Sequence, residues 1–131
     1  MTAGLVDTSV VIEWDEPSVR AALPDEVAVS TITLAELAAG PHLAIDAAER
    51  ARRQARLQQV EAAFDPLDFD RAAAWSFGQI VAAVATSGRS HRSRIADLLI
   101  AAVAHANGLD LYTRNPQDFA GLSGLINVVA I

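Results

Sequence analysis

The sequence predicts an α/β fold in which a parallel β-sheet carries helices on both faces. Short apolar segments alternate along the chain with longer segments of helical periodicity, and the connections between them are short. Polar and acidic residues follow the short apolar segments, which is where an open parallel sheet places its ligands. One helix, Ile95–Ala104, is apolar on nearly all sides, as expected for a helix buried against a sheet.

The composition is that of a folded protein. The 131 residues are 52% hydrophobic and 20% charged, which suits a single domain over residues 1–131 with its own core. We find no secretory signal and no apolar run of membrane-spanning length. We therefore expect a cytoplasmic protein that has no membrane partner.

The residue types exclude several kinds of chemistry. All 10 basic residues are arginine, so the chain has neither the lysine of a P-loop nor a lysine for a Schiff base. Cysteine is absent, which excludes disulfides and thiolate zinc sites. The net charge of -6 argues against a general nucleic-acid coat. It does not exclude a nucleic-acid enzyme, because metal ions and local arginines reverse the field at a site.

The first predicted strand ends in an acid. Residues 5–6 are apolar and too short for a helix, and Asp7 follows them directly. Thr8 or Ser9 is expected to cap a helix over residues 10–14. Asp7 itself has two interpretations, a helix cap or a ligand at the carboxyl end of a strand.

The second predicted strand, residues 27–29, is also followed by an acid. Thr31 or Thr33 is expected to cap a helix through residues 34–39, and this helix carries Glu36. The neighbours of Glu36 on its helix face are small or apolar. A carboxylate in such surroundings is costly unless another group pairs with it.

Two long helices are predicted in the middle of the chain. Residues 46–64 form the first, whose arginines indicate a solvated charged face, with a phosphate-contacting patch as the alternative: Arg50, Arg53 and Arg56. Residues 66–70 are extended and are a possible edge strand, and Asp70 is expected to cap a second helix over residues 71–86. On this helix we expect Trp75 to make core or dimer contacts.

The last third of the chain contributes a basic loop and a buried acid. Arg89, Arg92 and Arg94 lie in a loop that leads directly into the apolar helix. Asp97 lies near the beginning of that helix and has no partner on its own face. An unpaired carboxylate there would be costly, hold its proton or bind a cation.

Two further strands complete the predicted sheet, over residues 109–112 and 127–131. Polar groups again follow the first of them, in a loop that carries Arg114, Asn115 and Asp118. With right-handed crossovers, these groups meet the earlier acids at one edge of the sheet.

The four acids Asp7, Glu36, Asp97 and Asp118 then form one negatively charged cluster. Like charges at close range repel, so some of them take up protons unless a cation neutralises them. All-oxygen ligands without cysteine favour Mg²⁺ or Mn²⁺. This equipment is typical of metal-assisted phosphodiester hydrolysis.

Four segments carry the candidate residues: Val6-Asp7-Thr8-Ser9-Val10, Ser30-x-x-Thr33-Leu34-Ala35-Glu36-Leu37, Ala96-Asp97-Leu98-Leu99-Ile100-Ala101-Ala102-Val103-Ala104 and Thr113-Arg114-Asn115-x-x-Asp118-Phe119. In this order and at these spacings they resemble PIN-domain ribonucleases, in particular the VapC toxins of bacterial toxin–antitoxin pairs. The resemblance implies a PIN-like three-layer sandwich with a central parallel sheet of about five strands. It also implies a homodimeric, Mg²⁺-dependent endoribonuclease of structured RNA, of the tRNA or rRNA class, that is blocked by a small VapB-like antitoxin. Mn²⁺ is expected to substitute for Mg²⁺.

The roles of the acids follow from this chemistry and from the resemblance. All four are expected to be catalytic, with Asp7 and Asp97 as direct ligands of a metal that activates a water. Glu36 would bind through water or orient the attacking water. Many relatives carry an acid where this chain has Asn115, so Asp118 is expected to complete the site, and Asn115 is at best a neutral oxygen ligand.

The remaining polar residues are expected to support the site. Ser9 or Thr113 would hydrogen-bond a metal-binding carboxylate. RNA phosphates would be held by the four arginines nearest the site: Arg114, Arg89, Arg92 and Arg94. The alternative function is a catalytically silent RNA- or protein-binding module with a PIN-like fold, which magnesium-dependent cleavage would distinguish.

Overall fold

The computed structural model describes residues 1–131 apart from the side chain of Ser93, and its sheet is parallel throughout. Its strands are β1 (Ala3–Val6), β2 (Glu26–Ala28), β3 (Asp110–Thr113) and β4 (Val128–Ala130). Their order is β2-β1-β3-β4, so β1 and β3 are central. Leu5 of β1 is in register with Ala28 on one side and with Leu111 on the other.

The helices surround this sheet. They are α1 (Thr8–Ile12), α2 (Pro17–Ala22), α3 (Thr31–Ala39), α4 (Ala47–Ala63), α5 (Arg71–Thr86) and α6 (Ile95–Ala106). Two 3₁₀ turns lie between helices, at Gly40–Leu43 and Arg92–Arg94, and a third, Pro116–Phe119, lies between β3 and β4. None of the helices within the described residues is long and apolar enough to cross a membrane.

Short polar side chains cap the beginnings of α1, α3, α4 and α5. Asp70 caps α5 as predicted, because its carboxylate accepts the N–H of Ala73. The caps predicted at Thr8 or Ser9 and at Thr31 or Thr33 are wrong by one to three positions, and the alternative of Asp7 as a cap is confirmed. Asp7 and Ser30 are the caps, since both have extended backbones and accept the N–H three residues ahead, whereas Thr8 and Thr31 are already helical.

Alternate residues of the central strands face two separate apolar layers. Leu5 and Leu111 pack against α5 and α6, where Ile100 is fully buried. Val6 and Tyr112 face the opposite layer, which is formed by residues of α1 to α4. The sheet is therefore buried on both sides, and the predicted α/β three-layer architecture is confirmed.

The prediction of a fifth strand is wrong, because the sheet has four strands. Residues 66–70 contribute only an isolated bridge between Ser30 and Leu67. Leu67 donates its N–H to Val29 and accepts one from Thr31, both at 2.9 Å. The ladder does not extend because Pro66 has no N–H and Asp70 already caps α5.

Tyr112 is buried in the core, whereas Trp75 is exposed. The ring of Tyr112 lies over Gly4, where an added Cβ would stand 2.4 Å from the ring, so glycine is needed at this position. Trp75 is 76% exposed, so the expectation that it packs in the core is wrong and a contact with another chain remains as a prediction.

Candidate active site

A buried aspartate stands where β1 ends and α1 begins. Asp7 is only 3% exposed, and three donors converge on its carboxylate. Oδ1 accepts the Ser9 hydroxyl at 2.6 Å and the Val10 N–H at 3.2 Å. Oδ2 accepts the Thr113 hydroxyl at 2.5 Å. This single carboxylate therefore ties β1, α1 and the end of β3 together.

Burial raises the pKa of Asp7 above its ordinary value, and the donors from Ser9, Thr113 and Val10 act in the opposite direction. A helix cap alone needs only the Val10 N–H. The additional hydroxyl from β3, at the opposite side of the carboxylate, orients Asp7 rather than the helix. The interpretation of Asp7 as the cap of α1 is therefore confirmed, and its role as a ligand stays a prediction that the fixed orientation of the carboxylate is compatible with.

The two hydroxyls also fix the loop after β3. The Ser9 oxygen accepts the backbone N–H of Arg114 at 3.0 Å, and the Thr113 oxygen accepts that of Asn115 at 3.0 Å. The structure therefore places both predicted supporting residues on Asp7, and it uses them to position the loop that carries the fourth acid.

Glu36 approaches from α3 and contacts a residue whose role the sequence reasoning missed. The Thr8 hydroxyl donates to Glu36 Oε1 at 2.6 Å and lies 3.0 Å from the hydroxyl of Thr33. Thr8 was expected only as a possible helix cap. Its position next to Asp7, in the first turn of a helix that faces α3, is the signal that could have revealed it.

The pKa of Asp97 depends on the charges of the whole cluster. It lies in the first turn of α6, half-buried, and its pKa is raised to about 6. Burial is the main cause, followed by the negative charges of Asp118, Asp7 and Glu36, while Arg94 opposes the rise. Acids from four separate segments therefore act on one another at this edge of the sheet.

Of the two candidate residues in the last loop, Asp118 interacts with this cluster, because it pairs with Arg94 and its charge raises the pKa of Asp97. It lies half-buried in the Pro116–Phe119 turn, and its Oδ1 is 3.6 Å from Arg94 Nη1. Asn115 begins the same turn with an exposed side chain that makes no capping bond. Its carbonyl accepts the Asp118 N–H at 3.0 Å, so it supports the turn through its backbone.

The four arginines predicted to hold RNA differ in their partners and in their exposure. Arg114 donates to the carboxylate of Glu13 and, at 2.7 Å, to the carbonyl of Ile131, which fastens the loop to the end of α1 and to the residue after β4. Arg94 lies inside the acidic cluster. Arg89 and Arg92 are exposed, and within the described residues neither forms an ion pair.

The donor set fits a hard divalent cation. Among the described residues no three acidic or histidine side chains already converge as a metal site. However, the acids supply only oxygen ligands, and a hydroxyl next to a carboxylate orients it without neutralising its charge. Arg94 opposes the rise in the pKa of Asp97, but burial and the charges of the other three acids outweigh it. A cation is what would compensate the negative charge of the acids.

Comparison with known proteins agrees with this geometry. The PIN domain model matches residues 4–124, and the chain belongs to the PIN domain family. It is 41% identical to Ribonuclease VapC5 of Mycobacterium tuberculosis (strain ATCC 25618 / H37Rv), over 98% of this chain and 94% of that protein. It is also 37% identical to Ribonuclease VapC8 of the same species, over 77% of this chain and 89% of that protein. The resemblance predicted from the four segments is thereby confirmed.

Solved structures agree with this assignment. The toxin–antitoxin family member VapBC-5 from Mycobacterium tuberculosis contains a chain that matches with a TM-score of 0.87 and 38% identity over 100% of both chains. FitAcB from Neisseria gonorrhoeae matches with a TM-score of 0.77 and 30% identity over 95% of both chains. The PIN fold extends over the part of the chain that carries all four acids.

Proposed function

We propose that this chain is a divalent-metal-dependent endoribonuclease, the toxin of a toxin–antitoxin pair, with Mg²⁺ as its ion and Mn²⁺ as a substitute. The observation that carries the proposal is the electrostatic coupling of Asp97 to Asp118, Asp7 and Glu36. Acids from four segments, gathered against their mutual repulsion, are costly for the fold alone. Such a cost is typical of a functional site.

Asp7 and Asp97 are the proposed ligands, and Asp118 completes the set. PIN-domain nucleases generally depend on a divalent metal ion. When bound, the ion would supply Lewis-acid polarisation of the phosphate and would neutralise the charge of the site. The hydroxyls of Ser9 and Thr113 hold Asp7 in orientation, which limits the reorganisation that binding requires.

Glu36 is the proposed residue for the attacking water. Its Oε1 is occupied by Thr8, which leaves Oε2 to accept a hydrogen bond from water and orient it. Attack on phosphorus with departure of the 3′ oxygen would leave a 5′-phosphate and a 3′-hydroxyl. Arg89 and Arg92, exposed in the segment that leads into α6, are proposed to hold phosphates of the substrate.

The proposed substrate is structured RNA of the tRNA or rRNA class, and the proposed partner is a small VapB-like antitoxin. The relatives are named ribonucleases, and the matched solved structures include VapBC assemblies, which supports both. The negative field of the acidic cluster favours a basic side chain of the partner, because an arginine satisfies carboxylates and takes the place of the ion.

Cleavage of purified RNA tests the enzymatic part. The protein should cut RNA in Mg²⁺ or Mn²⁺ and stop in EDTA. Asp97→Asn should lower the rate by at least about 100-fold, since removal of a ligand disables metal catalysis. Asp65→Asn is the matched control, because Asp65 is exposed and lies outside the cluster. Undiminished cleavage in EDTA would refute the proposal, and RNA binding without cleavage would favour the silent module.

Two further measurements test the assembly. Growth should stop when the protein is produced alone and should recover when its antitoxin is produced with it. Light scattering at micromolar concentration should give the mass of a homodimer, to which the exposed Trp75 is proposed to contribute. Trp75→Ala should shift the protein towards monomer; a wild-type monomer would contradict this part of the proposal.

A further inference from the structure

Arg94 stands apart from the other basic residues because it is a cation within the acidic cluster. Its Nη1 lies 3.6 Å from Asp118 Oδ1 and donates a hydrogen bond to the Gln117 carbonyl at 2.7 Å. Its side chain is 28% exposed, and Asp118 is similarly covered at 34%. One guanidinium group therefore holds both the backbone and the side chain of the Pro116–Phe119 turn.

The position of Arg94 in the chain links its contact with Asp118 to Asp97. Arg94 directly precedes α6, and Asp97 lies three residues further on, in the first turn of that helix. The electrostatic effect of Arg94 reaches Asp97, where it opposes the effect of the three surrounding acids. Arg94 thus connects the two segments that carry Asp97 and Asp118. Among the described residues, it is the arginine that forms an ion pair with an acid of this cluster.

We propose that Arg94 is a positioning residue that acts as the internal counter-ion of the acidic site. It holds the Asp118 turn next to Asp97 while no divalent ion is bound, and its charge opposes the entry of that ion. This inference rests on the proposed metal-dependent function, and it assigns Arg94 to the site itself rather than to contact with RNA.

The charge argument determines the direction of the expected effect. A unit positive charge about 4 Å from a ligand set repels a divalent ion appreciably even in a water-like environment. Removing that charge should therefore lower the dissociation constant for Mn²⁺ by about tenfold. Replacement by lysine keeps the charge, so the dissociation constant should stay within about twofold of the wild-type value.

Calorimetric titration with Mn²⁺ at neutral pH, without RNA, provides the first test. The variants are Arg94→Gln and Arg94→Lys. The matched control is Arg92→Gln. It removes the same charge from an exposed side chain that lies two residues before Arg94. Arg94→Gln should bind Mn²⁺ about tenfold more tightly than Arg92→Gln. Equal dissociation constants for these two variants, or weaker binding by Arg94→Gln, would overturn the inference.

A double-mutant cycle in EDTA provides the second test. Arg94→Gln should lower the melting temperature of the wild-type protein, and it should have a smaller effect when Asp118 is already Asn, because only the bond to the Gln117 carbonyl is then lost. An undiminished effect in the Asp118→Asn background would overturn the pairing.

The two proposals fail in different ways. If the wild type cleaves RNA with Mn²⁺ but Arg94→Gln and Arg92→Gln bind the ion equally, only the counter-ion inference is wrong. If Mn²⁺ binding shows the predicted difference but no RNA is cleaved, only the enzymatic proposal is wrong.

Discussion

Asp97→Asn is expected to stabilise the metal-free protein at neutral pH. The pKa of Asp97 is raised from 3.8 to about 6, first by burial and then by Asp118, Asp7 and Glu36. The folded carboxyl therefore binds its proton more tightly than the unfolded one. The charged form costs stability above pH 6 or so, and this cost vanishes as the pH falls below about 4. An amide has no such cost at any pH.

The magnitude follows from the same pKa. A rise from 3.8 to about 6 corresponds to about 3 kcal/mol of unfolding free energy. Because Asp97 is only half-buried, solvent screening reduces this figure to about 1–2 kcal/mol. The mutation also removes a negative charge from the first turn of α6, which costs about 0.5 kcal/mol. The net gain is about 1 kcal/mol, or a melting temperature about 3–5 °C higher for a chain of this length.

Thermal unfolding followed by circular dichroism in EDTA measures this difference. At pH 7.5 or so, Asp97→Asn should melt about 4 °C above the wild type, whereas at about pH 4 the two should melt within about 1 °C of each other. Asp65→Asn should follow the wild type at both values. If Asp97→Asn is less stable than the wild type at neutral pH, or if the difference persists at low pH, the argument from burial and repulsion is wrong.

Other substitutions separate the roles of neighbouring groups. Asp7→Asn should abolish cleavage and keep the cap of α1, whereas Asp7→Ala should also lose about 1–2 kcal/mol in urea unfolding, because asparagine caps a helix and alanine does not. Thr113→Val should cost about 1–3 kcal/mol in the same assay, since it removes a donor to Asp7 and an acceptor for a backbone N–H while keeping the shape. Thr113→Ser retains the hydroxyl and is the control. Asp118→Ala should weaken Mn²⁺ binding in calorimetry more than Asn115→Ala, because only Asp118 carries charge; the reverse order would mean that the exposed amide is the ligand.

Much of the fold could be predicted from the sequence because its signals are local. The apolar run of α6 indicates burial, and residues 100–104 are fully buried. The cap of α5 at Asp70 needs only one side chain and the N–H three residues ahead. The placement of acids after strands is likewise a consequence of chain order, which is why the four segments could be named together.

The errors arose where a tertiary contact decided between local alternatives. Asp7, Thr8 and Ser9 all have acceptable capping side chains, and the backbone conformation at Asp7 decided among them. The extended segment around Leu67 had the composition of an edge strand, but pairing stopped at a proline. The bond between Thr8 and Glu36 spans 28 positions and carries no periodic signal. The ion pair of Arg94 with Asp118 could not be predicted either, because it depends on how the last loop folds back.

The central position of β1 and β3 has a consequence for how the site opens. Asp7 directly follows β1, and Thr113 is the last residue of β3. The Asp7 amide donates to the Tyr112 carbonyl of β3 at 3.1 Å. Strands in the middle of a sheet separate only when the whole sheet does, whereas a surface loop such as residues 87–91 opens by itself. The amide proton of Asp7 should therefore exchange with deuterium only through global unfolding, and loss of the site on heating should coincide with the single melting transition of the chain.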